Sequence, residues 1–232
     1  MEPSNLPPTD RRAFLGTLAT GAAAMSLAGL ATPLQGFARE ELPIAPRDED
    51  PDAWFNQIKG KHRIVFDVVE PSGIFPFAWP RVFLLTNAAT GTPEAESSVV
   101  VILRHEAIPY AMNNSAWTKY NFGKVFKITD DRTKESAMRN AFYKPASGDF
   151  QVPGIGPVAI GINELQESGV MFCVCNMAMT VYSAAIGQSM NMDPKEVYND
   201  FKAAILPGIQ IVPSGVWAVA RAQEHKCAYC RV

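Results

Sequence analysis

From residue 54 onward, apolar positions switch between a short continuous period and a helical one. Ile64-Val65-Phe66-Asp67-Val68-Val69 is a β-branched run and predicts a first strand, broken by Pro71-Ser72-Gly73. Phe77 to Ala89 predicts a helix that Pro80 interrupts. Val99-Val100-Val101-Ile102-Leu103 is apolar throughout, as expected of a strand covered on both faces. Ala107 to Tyr120 predicts a second helix, and residues 123–157, polar and rich in Gly and Pro, a long excursion. Val158 to Ser168 predicts a helix stopped by Gly169, and Val170 to Cys175 a third strand. Asn176 is placed to cap a helix over Met177 to Gln188. Asp193-Pro194-Lys195-Glu196 has the N-cap, N1 and N3 residues of a helix start, and Val197, Phe201, Ala204 and Ile205 follow at helical spacing. Ile209 to Val212 predicts a fourth strand. Ser214 caps a last helix with Val216, Trp217 and Ala220 as its apolar stripe, and Cys227 to Val232 predicts a fifth strand. Strands alternating with helices predict an α/β domain: a three-layer α/β/α arrangement around a five-stranded, mainly parallel sheet, with right-handed crossovers.

The N-terminus follows a different pattern. Arg11-Arg12 precede Phe14-Leu15 and an uncharged, Ala- and Gly-rich run to about Ala31, and Gly36-Phe37-Ala38 stands before the charged Arg39-Glu40-Glu41. This order of basic, apolar and small-residue regions is that of a signal peptide, and the paired arginines resemble a twin-arginine (Tat) signal. The expectation is a Tat signal over residues 1–38, an acidic, proline-bearing linker over 39–53, and one domain over 54–232 located in the periplasm. An uncleaved membrane tether is the alternative.

Charge and cysteines narrow the picture. The mature part keeps a net charge of −2, because the signal removes two acidic and two basic residues. A slightly acidic domain lacks the footprint of a nucleic-acid binder. No later apolar run is long enough to span a membrane. There is no glycine-rich phosphate loop after the first strand, which argues against a dinucleotide site. All four cysteines, Cys173, Cys175, Cys227 and Cys230, lie in the mature part, where an oxidising compartment permits disulfides; the sequence does not choose a pairing.

Ligands in an open parallel sheet bind beyond the carboxyl ends of the strands. That rule gathers Glu70, Pro71 and Ser72, then Arg104, His105 and Glu106, then Cys175 and Asn176, then Pro213 and Ser214 at one rim. Cys175 stands out, because it ends a strand and precedes a helix whose positive N-terminal end stabilises a thiolate. Asn176 and His105 are the candidate helpers, His105 as a proton shuttle. Cys173 shares the strand, but its Cα would lie about 6.6 Å from that of Cys175, too far for an easy disulfide; a small buried hydrophobe is its plain alternative. His225-Lys226-Cys227-Ala228-Tyr229-Cys230 offers a His-x-Cys-x-x-Cys set, suited to a transition metal if the segment turns and unable to pair its thiols if it is a strand. Arg231 stands where a covalent haem site needs a histidine. Met171, Met177, Met179, Met190 and Met192 fit core filling as well as a soft-metal patch.

The run Gly169-Val170-Met171-Phe172-Cys173-Val174-Cys175-Asn176-Met177-Ala178-Met179, followed by Leu206-Pro207-Gly208-Ile209-Gln210-Ile211-Val212-Pro213-Ser214-Gly215, resembles the DsrE/DsrF-like proteins. The resemblance covers about residues 62–232 and is strongest from about 160. It implies a small α/β/α domain with a five-stranded parallel sheet, often a homo-oligomer, in which some members carry sulfur as a persulfide on a cysteine after the third strand. Cys175 matches that position. The excursion at 123–157 and the C-terminal CxxC lie outside the family's basic pattern. The expected function is therefore an exported thiol-based sulfur carrier or redox protein using Cys175, with a thiol or sulfur donor or acceptor as partner. The alternatives are a non-enzymatic metal or small-ligand module using His225, Cys227 and Cys230, and an oligomeric structural protein with disulfides.

Overall fold

The computed structural model describes residues 52–232 apart from Pro153. The signal-like segment and the linker up to residue 51 lie outside the described residues. Five strands form one parallel sheet: β1 (His62–Val68), β2 (Ser97–Leu103), β5 (Met171–Cys175), β6 (Ile209–Val212) and β7 (Ala228–Arg231). Their spatial order is β6-β5-β2-β1-β7. The strands expected from the sequence are these five. Inside the excursion, β3 (Gln151–Val152) and β4 (Gly156–Pro157) add a small antiparallel hairpin.

Alternate residues of each strand feed two separate cores. Phe66, Val68, Val99, Val101, Leu103, Phe172 and Val174 face the larger one. Covering them are α1 (Phe75–Ala89), α2 (Asn114–Tyr120), α4 (Ile162–Glu167), α5 (Asn176–Met190) and α6 (Pro194–Ala203), with the short α3 (Phe122–Val125) beside α2. Val65, Val100, Ile102, Cys173 and Val212 face the smaller core, which is closed by α7 (Gly215–Glu224) and by Phe55 of a 3-10 turn over Ala53–Gln57. The result is a three-layer α/β/α fold.

Several predicted elements shift for identifiable reasons. Pro80 leaves the Pro76 carbonyl without its helical donor only one turn from the start, and α1 continues to Ala89. The helix expected over Ala107 to Tyr120 splits into a 3-10 segment, His105–Ala111, and α2; the buried Pro109 lies inside the first, and Asn113 caps the second by accepting from the Ser115 N–H. The helix expected from Val158 begins only at Ile162. The nearly buried Arg81 takes the Ala159 carbonyl as an acceptor, along with Glu164 O and Ser168 Oγ, so residues 158–161 stay extended. In α7 the buried residues are Gly215, Ala218 and Ala222, while Val216 is 65% exposed and Ala220 is exposed. Small residues face the sheet here because this helix lies close against it. The caps Asp193 and Ser214 are in place, accepting from the Lys195 and Trp217 N–H groups.

The excursion is anchored by backbone crossings. Gly123 donates its N–H to Ala137 O, and a Cβ there would stand 2.3 Å from Ala137 N and from Ala137 O. Two carboxylates add electrostatic ties, one within the excursion and one beside it. Burial works to raise the Asp130 pKa, but hydrogen bonds from Arg139 and the Arg132 N–H outweigh it and hold the carboxyl below its ordinary value. Hydrogen bonds from Lys119 and then Tyr120 lower that of Asp200, tying α2 to α6. A carboxyl depressed in the folded state stabilises it above the unfolded pKa of about 4, and that contribution is lost as pH falls through the folded value. Thermal unfolding followed between pH 5 and 2 should therefore show a falling midpoint. Arg139→Gln should lower stability at pH 7 and flatten this slope.

Candidate functional site

The chain creates a crevice at a predictable place. After β5 it enters α5 on the larger-core face, whereas after β6 it enters α7 on the opposite face. β5 and β6 are neighbours, with Cys175 paired to Val212. Adjacent strands whose following helices part to opposite sides define a topological switch point, where open α/β sheets bind ligands.

Cys175 sits at that point and is itself the N-cap of α5. Its Sγ accepts a hydrogen bond from the Ala178 N–H at 3.3 Å, the place a serine or aspartate oxygen usually fills. The capping role expected of Asn176 thus belongs to Cys175. Asn176 is the first helical residue and is buried. Its Oδ1 accepts from the Tyr198 hydroxyl at 2.6 Å, which fastens α5 to α6. His105 is exposed at φ 51° and meets Tyr182 of α5 edge-on, ring centroids 6.0 Å apart. Tyr182 stands seven residues beyond Cys175, so about 10 Å along the helix separates that contact from the thiol. No hydrogen bond joins His105 to Cys175.

What does line up with Cys175 is a row of polar residues across the rim. Leu103 pairs with Val174, so Arg104 and Cys175 continue the same register one step on. Arg104 donates from Nε and Nη2 to the two oxygens of Asp67, at 2.6 and 2.9 Å. Tyr229 of β7 donates its hydroxyl to Asp67 Oδ2 at 2.8 Å. By strand alternation Tyr229, Asp67 and Arg104 belong to the face that α7 covers, on the adjacent strands β7, β1 and β2 or their ends, and Cys175, 6% exposed and packed with the larger core, stands at the end of the next strand, β5. The stem of Arg104 lies on Gly215 at the start of α7, where a Cβ would come within 2.6 Å of it. Asp67 is 2% exposed, the Arg104 side chain 24%. The hydrogen bond from Asp67 raises the Arg104 pKa; burial opposes this, and Tyr229 and Cys175 add to it. The same Asp67 contact raises the Tyr229 pKa. A carboxylate this deep is retained only with partners, and here it has two.

Of this row the sequence marks Cys175 and places Arg104 on the rim without a role, and it leaves Asp67 and Tyr229 unmarked. The one available signal was a charged residue inside the apolar run Ile64 to Val69. Its partners depend on the sheet order.

The His-x-Cys-x-x-Cys set does not converge. Cys227 lies in the smaller core and Cys230 packs against the larger one, so β7 sends the two thiols to opposite faces. His225 stacks on Phe55 with ring centroids 6.3 Å apart. Among the described residues no cluster of three or more His, Cys, Asp or Glu side chains suits a metal ion. All four thiols are unpaired. Burial raises the Cys173 pKa well above that of an ordinary thiol and pushes Cys227 up to about 11. Of the methionines, Met179 is fully buried in the larger core, while Met171 packs against the smaller one.

A cavity of about 310 Å³ lies beneath the excursion, walled by Tyr110, Trp117, Phe142 and Phe150 and rimmed by the Asp130–Arg139 pair. No thiol lines it. Among the described residues no helix is long and apolar enough to cross a membrane.

No family model matches the chain, and no curated protein matches it. Among solved structures it is similar to a protein of unknown function from Methanobacterium thermoautotrophicum, at 18% identity and a TM-score of 0.34, over 74% of this chain and 100% of that one. A likeness at that level carries no argument about function.

Proposed function

We propose that this chain is an exported, DsrE/F-like, thiol-based carrier that takes up sulfur on Cys175 and passes it to an acceptor thiol. The observation that carries this reading is the Cys175 sulfur at the switch point, held at the N-terminus of α5 by the Ala178 N–H. A sulfur anion there gains both a hydrogen-bond donor and the positive end of a 15-residue helix. In the loading step the Cys175 thiolate attacks a terminal sulfur of a polysulfide. One S–S bond forms, one breaks, and the shorter polysulfide leaves with the electron pair. The thiol proton passes to solvent beforehand. Two further parts of the proposal stand on the sequence alone: passage through the Tat route and residence in the periplasm. Self-association, also part of it, is supported by the exposed apolar residues Phe75, Trp79, Val82 and Leu85 along α1. The metal-module alternative lacks a converging donor set.

The test is intact-mass analysis after treatment of the reduced protein with sodium tetrasulfide. A gain of one sulfur atom, mapped to Cys175 and lost in Cys175→Ala, is expected. Loading of Cys230 alone, or of no cysteine, would falsify the reading.

A further inference from the structure

We infer that Arg104 is the anion-receiving group of the Cys175 site, and that the sulfur donors it admits are anionic inorganic species of the polysulfide type, in preference to neutral alkyl sulfur compounds. The inference rests on the Cys175 reading above and adds a residue and a substrate class to it.

Arg104 and Cys175 each stand one residue past Leu103 and Val174, the last pair of β2 and β5, and neighbouring strands in a sheet lie about 4.8 Å apart. The guanidinium is not left to wander. Asp67 grips two of its nitrogens in a fork, Tyr229 holds Asp67 from the other side, and the stem is pressed against Gly215. A guanidinium presents five N–H groups, and the fork with Asp67 uses only one edge of it. Among the described residues nothing accepts a hydrogen bond from the third nitrogen, Nη1. An arginine so oriented, partly exposed, beside a nucleophilic sulfur, is equipped to draw in an anion and to steady the charge on the departing sulfur chain. Gly215 belongs to the same device, since any larger residue at the start of α7 would displace the arginine stem.

Arg104 is here a substrate-binding residue, and its test needs a readout that a purely structural role would not move. The second-order rates of Cys175 alkylation by iodoacetate and by iodoacetamide provide one. These reagents form the same carbon–sulfur bond and release the same iodide but differ by one negative charge. The measurement is made by peptide mapping in a Cys230→Ser background. In Arg104→Gln, where the amide can still donate to Asp67, the iodoacetate-to-iodoacetamide ratio should fall roughly tenfold, the effect of one unit charge a few ångströms away at a dielectric between those of protein and water. Arg104→Lys should keep most of the ratio. The wild-type protein gives an independent arm: its iodoacetate rate should drop with added salt while its iodoacetamide rate stays level. An unchanged ratio in Arg104→Gln, or a salt-insensitive iodoacetate rate in the wild type, overturns the role of Arg104. If tetrasulfide still loads Cys175 under either outcome, the carrier reading survives and only this inference fails. If Cys175 takes neither alkylating agent nor sulfur, both fail.

Discussion

Arg104→Met should lower the unfolding free energy by about 3 kcal/mol, although much of the removed side chain lies near the surface. The loss comes from the partner left behind. Asp67 is 2% exposed, and without the two guanidinium hydrogen bonds its carboxylate keeps only the Tyr229 hydroxyl. Stranding a buried charge typically costs about 3–5 kcal/mol, and the lower end applies because water can reach the gap left by a partly exposed arginine. The double variant Asp67→Leu/Arg104→Met should recover most of the loss, since it removes both charges and lets the partly exposed Tyr229 hydroxyl return to water. Urea denaturation of the three proteins measures the coupling. A double variant no more stable than the single would show that the cost lies elsewhere than in Asp67.

Gly123→Ala should be nearly as damaging, at about 2–3 kcal/mol, for a steric reason. The added methyl would meet Ala137 backbone atoms at 2.3 Å, and backbone cannot swing aside as a side-chain end can. The crossing also carries the Gly123 N–H to Ala137 O bond and the Ile128 N–H to Gly123 O bond, which would lengthen together. Limited proteolysis should then cut the excursion between residues 127 and 150 faster than in the wild type. Gly91→Ala is the matched control: φ is +94° with open space around the site, so only backbone strain of about 1–2 kcal/mol applies, and proteolysis should leave the excursion intact.

These two cases mark what could be read in the sequence. The five strands were legible because runs such as Val99 to Leu103 are covered on both faces and need no tertiary information to be recognised. The start of α6 was legible because Asp193, Pro194 and Glu196 act within a single turn. Cys175 was legible as a strand-to-helix junction, although its sulfur, and not Asn176, caps the helix. The rest depends on contacts between distant residues. Arg81 keeps residues 158–161 extended from 78 positions away, and no local propensity carries that. The close approach of α7 to the sheet selects Ala218 and Ala222 for burial over the larger Val216, which inverts the usual amphipathic expectation. The partners of Asp67 come from the end of β2 and from β7, which flank β1 on its two sides only once the chain has crossed from β6 at the far edge to pair β7 with β1.

The position of β7 has a consequence for traffic through the site. Cys227 and Cys230 sit just before and within β7, three strands away from β5, and Cys173 is sealed in the smaller core, so none of the three is placed to attack a persulfide on Cys175. The chain cannot discharge by closing its own disulfide, as a dithiol oxidoreductase does. A sulfur loaded there leaves only when a second molecule presents a nucleophile at the rim, so turnover would be bimolecular and paced by the concentration of that acceptor.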